Sequence, residues 1–266
     1  MRTNRPLARM NIHQQIVREL ALRILSGEAK PGEMLSTEDI ASSEMDVSRT
    51  AYREAIKVLT AKGLLESRPK VGTRVRERAS WNILDPDIVA WRSETETAPQ
   101  FVEELFEFRQ IIEPEAARLA AQNARQDELT LIREAVQRMG ETDASTNENY
   151  EADLAFHTGV LDASGNELLA SLGHVVEALL LKSFELSSHQ AGAREGSVPL
   201  HMEVVKQIEN RDAALAKEAM TTLLKSARAD LHAVLAREGG GPDLPSLEKE
   251  AMGSSAQNRD PNREND

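Results

Sequence analysis

The chain has 266 residues, a formal net charge of −12 at pH 7 and no cysteine. Its length suits two domains of ordinary size, and the missing thiol excludes disulfides, thiolate zinc sites, iron–sulfur clusters and a cysteine nucleophile. Aromatic residues make up only 3%, which disfavours a base-stacking platform for single strands. No apolar run is long enough to span a bilayer. The opening MRTNRPLARM lacks an apolar signal core, so a cytoplasmic location without a membrane partner is expected.

The charge is divided unevenly. Residues 1–80 carry 15 Lys and Arg against 10 Asp and Glu, whereas the remainder carries 17 against 34. A small basic module on a larger acidic body points to nucleic acid as the partner of the first part, although chance clustering gives the same tally. The composition divides the chain into a flexible arm (1–10), a first domain (11–78), a linker (79–97), a helical second domain (98–237) and a polar tail (238–266). The tail begins GGGPDLPS and is expected to be disordered.

In chain order, a first helix is predicted over 11–26, ending at Gly27. A turn and a short extended piece, AKPGEML, follow at 29–35. Two more helices are expected at 37–44 and 48–62, the latter stopped by Gly63 in the usual C-terminal position. Two short strands at 64–68 and 73–77 flank a turn at Pro69–Gly72. Three helices and a hairpin make a winged helix-turn-helix. On the 48–62 helix, Tyr52, Ala55, Ile56 and Leu59 form the apolar stripe of a core face. Ser48 stands at the N-cap, and Arg49, Thr50, Arg53 and Lys57 lie on the opposite side. A helix with that polar face fits a major groove. Arg68, Lys70, Arg74 and Arg76 make the hairpin basic, suited to phosphate backbone or minor groove. A merely solvated charged face is the plainer alternative.

PGEML, VSRTAYREAIKVLTAKGLL and VGTRV resemble the GntR family of bacterial transcription regulators. Pro31, Gly32, Leu35, Val47, Ser48, Arg49, Thr50, Arg53, Glu54, Ala55, Gly63, Leu64 and Gly72 occupy the places of that family's pattern. The resemblance implies a homodimer that binds double-stranded DNA at a pseudo-palindromic operator. One position departs. The family commonly has an arginine after the glutamate of the first motif helix, whereas this chain has Glu38-Asp39 and no base within 36–46.

The second domain reads as an antiparallel all-α bundle. Polar residues inside its apolar stripes are informative, because burying them costs free energy unless they find partners. Around 148–163, Asp153 and His157 fall at i and i+4 within the stripe of Tyr150, Leu154, Val160 and Leu161. Around 198–209, His201 completes the stripe of Val204, Val205 and Ile208. Around 101–121, Arg109 lies within the stripe of Phe101, Leu105, Phe108, Ile112 and Ala116, with Glu113 at its margin beside Pro114. An Asp and two His form a first-row metal set for zinc, nickel, manganese or iron. A buried arginine wants a carboxylate and suits a small organic acid. Alternatively, each polar group is satisfied separately: an Asp–His pair, a core histidine and an Arg109–Glu ion pair. His174 and His232 fall off their stripes, His189 lies in a polar loop and His13 lies on the DNA-side module. Asn166 is most simply a helix N-cap, with pocket lining as a second use.

LFEFRQIIEPEAARLAA (105–121), EADLAFHTGVLDASGNELL (151–169) and PLHMEVVKQIENRDAALAKEAM (199–220) resemble the FCD ligand-binding domain of FadR-type GntR regulators. That likeness implies a bundle of six or seven helices, with Asp153, His157 and His201 as ligands of a divalent metal. It also implies Arg109 as the group reaching an effector carboxylate, and Glu113 and Asn166 are expected beside it as effector-binding residues. The family's fourth ligand position holds Leu223. WNILDPDIVAW (81–91) resembles the connector of sugar-acid regulators of the galactonate-operon type. Trp81, Leu84 and Trp91 are expected to pack there as a linker helix between the domains. The function implied is a repressor of sugar-acid catabolic genes, released from its operator by a small carboxylate. Two rivals stand beside it. One is a metal-dependent hydrolase or lyase using the Asp/His cluster, and the other is a non-specific architectural DNA binder.

Overall fold

The computed structural model describes residues 11–95, 99–187 and 196–237. The expected arm at 1–10, the tail at 238–266 and His189 lie outside the described residues. The fold is mainly helical, with one small sheet.

The N-terminal domain begins with α1 (Ile12–Leu25), started by a capping box in which Asn11 and Gln14 satisfy each other's backbone N–H. Helix α2 (Glu38–Glu44) follows, then α3 (Arg49–Ala61). The Ser48 side chain accepts from the Ala51 amide at 3.1 Å and starts α3 one residue inside the expected bound. Strands β1 (Leu65–Arg68) and β2 (Gly72–Val75) pair antiparallel with Leu65 opposite Val75. The PGEML segment completes the wing's inner edge: the Leu35 amide donates to the Thr73 carbonyl at 2.8 Å. Tyr52, Ala55, Ile56 and Leu59 are buried with Ile16, Leu20 and Ile24 of α1, so the stripe on α3 does face the core.

Helix α4 (Pro86–Thr95) joins the two halves. Its Ile88 and Trp91 belong to the N-terminal core with Trp81, while Val89 packs with Phe101, Phe106 and Leu179 of the second domain. Apolar residues on both sides of one short helix bind it to two cores, each large buried side chain contributing roughly 1.5–3 kcal/mol. Leu84 departs from expectation. It is 45% exposed, because it precedes α4 and offers its carbonyl, not its side chain, to the neighbouring domain: His174 Nε2 lies 2.8 Å from that oxygen.

The second domain comprises α5 (Pro99–Asn123), α6 (Gln126–Glu141), α7 (Asn147–Ala163), α8 (Glu167–Ala170), α9 (Gly173–Ser187), α10 (Ser197–Glu209) and α11 (Ala213–Arg237). Helix α5 continues through Pro114. Helices α5, α6, α7, α10 and α11 enclose the main core, built around Phe156, Ile132, Val160, Ile208 and Leu224. Among the described residues no helix is long and apolar enough to cross a membrane.

Candidate functional site

Two places carry chemistry. On the N-terminal domain, Arg49, Thr50, Arg53 and Lys57 are exposed on the outer side of α3, opposite its apolar stripe. Arg68, Lys70, Gly72 and Arg74 are exposed on the wing, and Arg76 is half-buried. Lys70, with φ +64°, and Gly72, with φ +115°, are the positive-φ residues of the wing turn. The cations of this face are not bare. Glu66 pairs with Arg74 and, at 3.2 Å, with Arg68; Lys57 lies 2.7 Å from Glu54.

Inside the second domain, α5 delivers Arg109 and Glu113, α7 delivers Asp153 and His157, and α10 delivers His201. All five are buried, with Glu113 at 0% exposure. The one-turn spacing of 109 and 113, and of 153 and 157, puts each pair on one helix face. The two faces look at each other. Arg109 Nε pairs with Glu113 Oε1, and Arg109 Nη2 lies 3.2 Å from Glu113 Oε2. The same Nη2 is 3.0 and 3.1 Å from the two ring nitrogens of His157. Burial alone would raise the pKa of Glu113, but the charges of Arg109 and His157 overcome it and hold the carboxyl at about 2.

The histidine tautomers follow from their partners. His157 Nδ1 lies 2.6 Å from the Glu113 carboxylate, and His201 Nδ1 lies 2.8 Å from the Ser197 carbonyl. Both oxygens can only accept, so both Nδ1 atoms carry the proton. Each Nε2 then turns towards Asp153 Oδ1, at 3.5 Å from His157 and 3.1 Å from His201. One ligand atom from each of the three residues lies within 4.8 Å of the others. Phe156 stands edge-on to both rings, with centroids 4.9 and 4.7 Å away, and holds them in place.

The His157 lone pair lies 3.1 Å from Arg109 Nη2, which can donate to it, whereas the His201 lone pair faces the Asp153 carboxylate and repels it unless a proton or a cation lies between them. A proton serves in the absence of metal. Burial opposes charge on His157, but the Glu113 carboxylate raises its pKa, and burial likewise opposes ionisation of Asp153, which the two histidines nevertheless hold well below the usual range. A first-row divalent ion serves equally well, and two imidazoles plus a carboxylate are its donor set. Glu113 and Ser197 orient the ligands from behind, as metal-binding histidines require. The residues present therefore fit a metal.

Arg109, Asp153, His157 and His201 line a cavity of about 80 Å³ together with Phe106, Leu180 and Leu223. That volume holds roughly half a dozen water-sized groups, the size of a small organic acid. Leu223, where the family resemblance would place a fourth ligand, is buried in the wall and offers no donor. Asn166 is not part of this wall. Its side chain accepts from the Leu168 and Leu169 amides as the cap of α8, and it lines a separate shallow depression beside Asn123. Its local capping geometry turns it away from the cavity. Ser197 and Phe156 are the participants that the sequence reading missed. Ser197 acts through a backbone carbonyl, which no side-chain pattern reveals. Phe156 could have been found, since it lies on the same inward arc as Asp153 and Val160.

Exposed arginines on a winged helix-turn-helix, tied by a shared helix to a second, all-helical domain, define a transcription regulator of the two-domain bacterial kind. The model for bacterial regulatory proteins of the gntR family matches residues 12–75, and the FCD domain model matches residues 104–226. An Escherichia coli K12 protein described as the uncharacterized HTH-type transcriptional regulator YieP is 31% identical over 225 residues, covering 82% of this chain and 95% of that protein. The galactonate operon transcriptional repressor of the same organism is 29% identical over 219 residues, covering 82% and 95%. Among solved structures, Lar, which controls expression of the Listeria monocytogenes agr system, superposes with a TM-score of 0.58 at 18% identity, covering 84% of this chain and 97% of that one. The chain belongs to the GntR family, with an FCD domain as its second half. Its relatives are transcription regulators, not enzymes, so the hydrolase or lyase alternative is set aside.

Proposed function

We propose that this regulator is a homodimeric repressor of sugar-acid catabolic genes, released from a pseudo-palindromic operator by a small carboxylate effector. The observation that carries this reading is the cavity into which Arg109, Asp153, His157 and His201 bring polar groups among apolar walls. A divalent ion held by Asp153, His157 and His201 would supply Lewis-acid coordination for an effector's oxygens. That ion and the Arg109 guanidinium would offer an anion two cationic contacts, set against the carboxylates of Glu113, Asp153 and, in the cavity wall, Asp230. Arg109 is thus both a partner of Glu113 and part of the wall that an effector carboxylate meets. The likeness to a galactonate operon repressor supports a sugar acid as that anion.

Signal transfer runs through packed helices. The cavity helix α7 packs on α9, α9 on α4, and α4 on α1 of the DNA-binding domain. Lys62, at the C-cap of α3, lies 2.7 Å from both Asp85 and Asp87 at the start of α4. Tilting α4 therefore moves the module that carries α3. An effector drives this only by binding the two arrangements with different affinity. DNA recognition is assigned to Ser48, Arg49, Thr50, Arg53 and Lys57 on α3, with Arg68, Lys70, Gly72 and Arg74 on the wing, and two copies of α3 would enter successive major grooves.

A thermal-shift screen of sugar acids, with and without added zinc, nickel or manganese, tests the effector. A hit should also release the protein from its selected duplex in a gel shift. A hit that leaves the DNA complex intact, or no hit among aldonates, uronates and keto-deoxy acids, refutes the sugar-acid assignment.

A further inference from the structure

Helix α2 brings two carboxylates onto the DNA-reading face of α3. Arg53 Nη2 lies 2.6 Å from Glu38 Oε2, and its Nε lies 3.1 and 3.2 Å from the two oxygens of that carboxylate. Arg49 Nη1 lies 2.9 Å from Asp39 Oδ1, and these two side chains are 67% and 64% exposed. Neither acid serves the core, because the buried residues of α2 are Ala41 and Ser42. Exposed ion pairs of this kind add little to folding stability. Their consequence falls on whatever approaches the arginines.

Phosphates and base edges differ in what they make of such a pair. A phosphate is anionic at every step of the duplex. Contacts to it carry no sequence information and supply most non-specific affinity. A phosphate that seeks Arg49 meets the charge of Asp39. Base edges in the major groove are neutral and present amino donors as well as acceptors, so an arginine–carboxylate pair can face them intact. We propose that Asp39, beside Glu38, is a specificity-determining residue: it holds the Arg49 guanidinium for base edges and penalises binding to the phosphate backbone alone. This rests on the assignment of α3 as the reading helix.

The test uses the full chain and two duplexes of equal length, one selected by the wild type from a random pool and one of arbitrary sequence, titrated from low to moderate salt. Asp39→Asn and Asp39→Ala both release Arg49 to phosphates. The arbitrary duplex should then bind several-fold more tightly at low salt, with a log–log salt slope steeper by about one. The ratio of selected to arbitrary affinity should fall. An unchanged or rising ratio, or no change in either affinity, overturns the role of Asp39. Arg53→Ala separates the two claims. If it binds the selected duplex as well as the wild type does, the assignment of α3 fails; if it loses that duplex while the Asp39 variants leave the ratio unchanged, only the role of Asp39 fails.

Discussion

Glu113 Oε2 lies 2.6 Å from His157 Nδ1, and the same buried carboxylate carries the Arg109 guanidinium. One side chain thus joins the metal-ligand set to the cationic wall. Glu113→Gln would leave Arg109 without an anionic partner and weaken the orientation of His157. Breaking a buried pair from one side costs about 3–5 kcal/mol, and losing such an orienting group lowers metal affinity about 10–100-fold. Urea unfolding and chelator competition should show both effects. A variant with wild-type stability and metal affinity would show the pair to be incidental.

Leu223 leaves one side of the metal set without a donor. Leu223→His would add an imidazole to the wall of the same cavity. Metal should bind at least about tenfold more tightly, as an added or restored ligand-sphere interaction commonly does, and the effector response should weaken because a coordination position is filled. Chelator competition and an induction curve measure the two effects. Unchanged metal affinity would place position 223 outside ligand reach.

Anion binding should depend on the metal. Without it, the two positive charges that the ion supplies are lost, and the attraction for a carboxylate weakens. Stripping the protein with a chelator should abolish the thermal shift caused by a sugar acid while leaving affinity for the selected duplex intact. His157→Ala should behave like the stripped protein. An equal shift with and without metal would assign effector binding to Arg109 alone.

Gly63 is placed where a side chain has no room. Its φ is +80°, and an added Cβ would stand 2.6 Å from the Ser80 carbonyl oxygen. Gly63→Ala meets a left-handed backbone cost of about 1–2 kcal/mol, and the clash adds to it by pushing residues 80–82 off the end of α3. The thermal midpoint should fall, and coupling between effector and DNA should weaken, since Lys62 is bound to α4 at the same corner. A Gly63→Ala protein with an unchanged midpoint would contradict this packing.

Much of this molecule was written in local pattern. The apolar stripe of α3 placed Arg49, Arg53 and Lys57 outward, and the Ser48 cap and Gly63 stop bounded the helix within a residue, because helical periodicity and backbone sterics act over a few positions. The inward arcs of α7 and α10 singled out Asp153, His157 and His201 for the same reason. Periodicity says which way a side chain faces, not what it meets. The approach of His157 to Glu113 and Arg109, the exposure of Leu84 and the seating of Glu38 and Asp39 against the arginines all depend on how separate elements pack. That packing is settled between whole faces far apart in the chain, so only the assembled fold decided it.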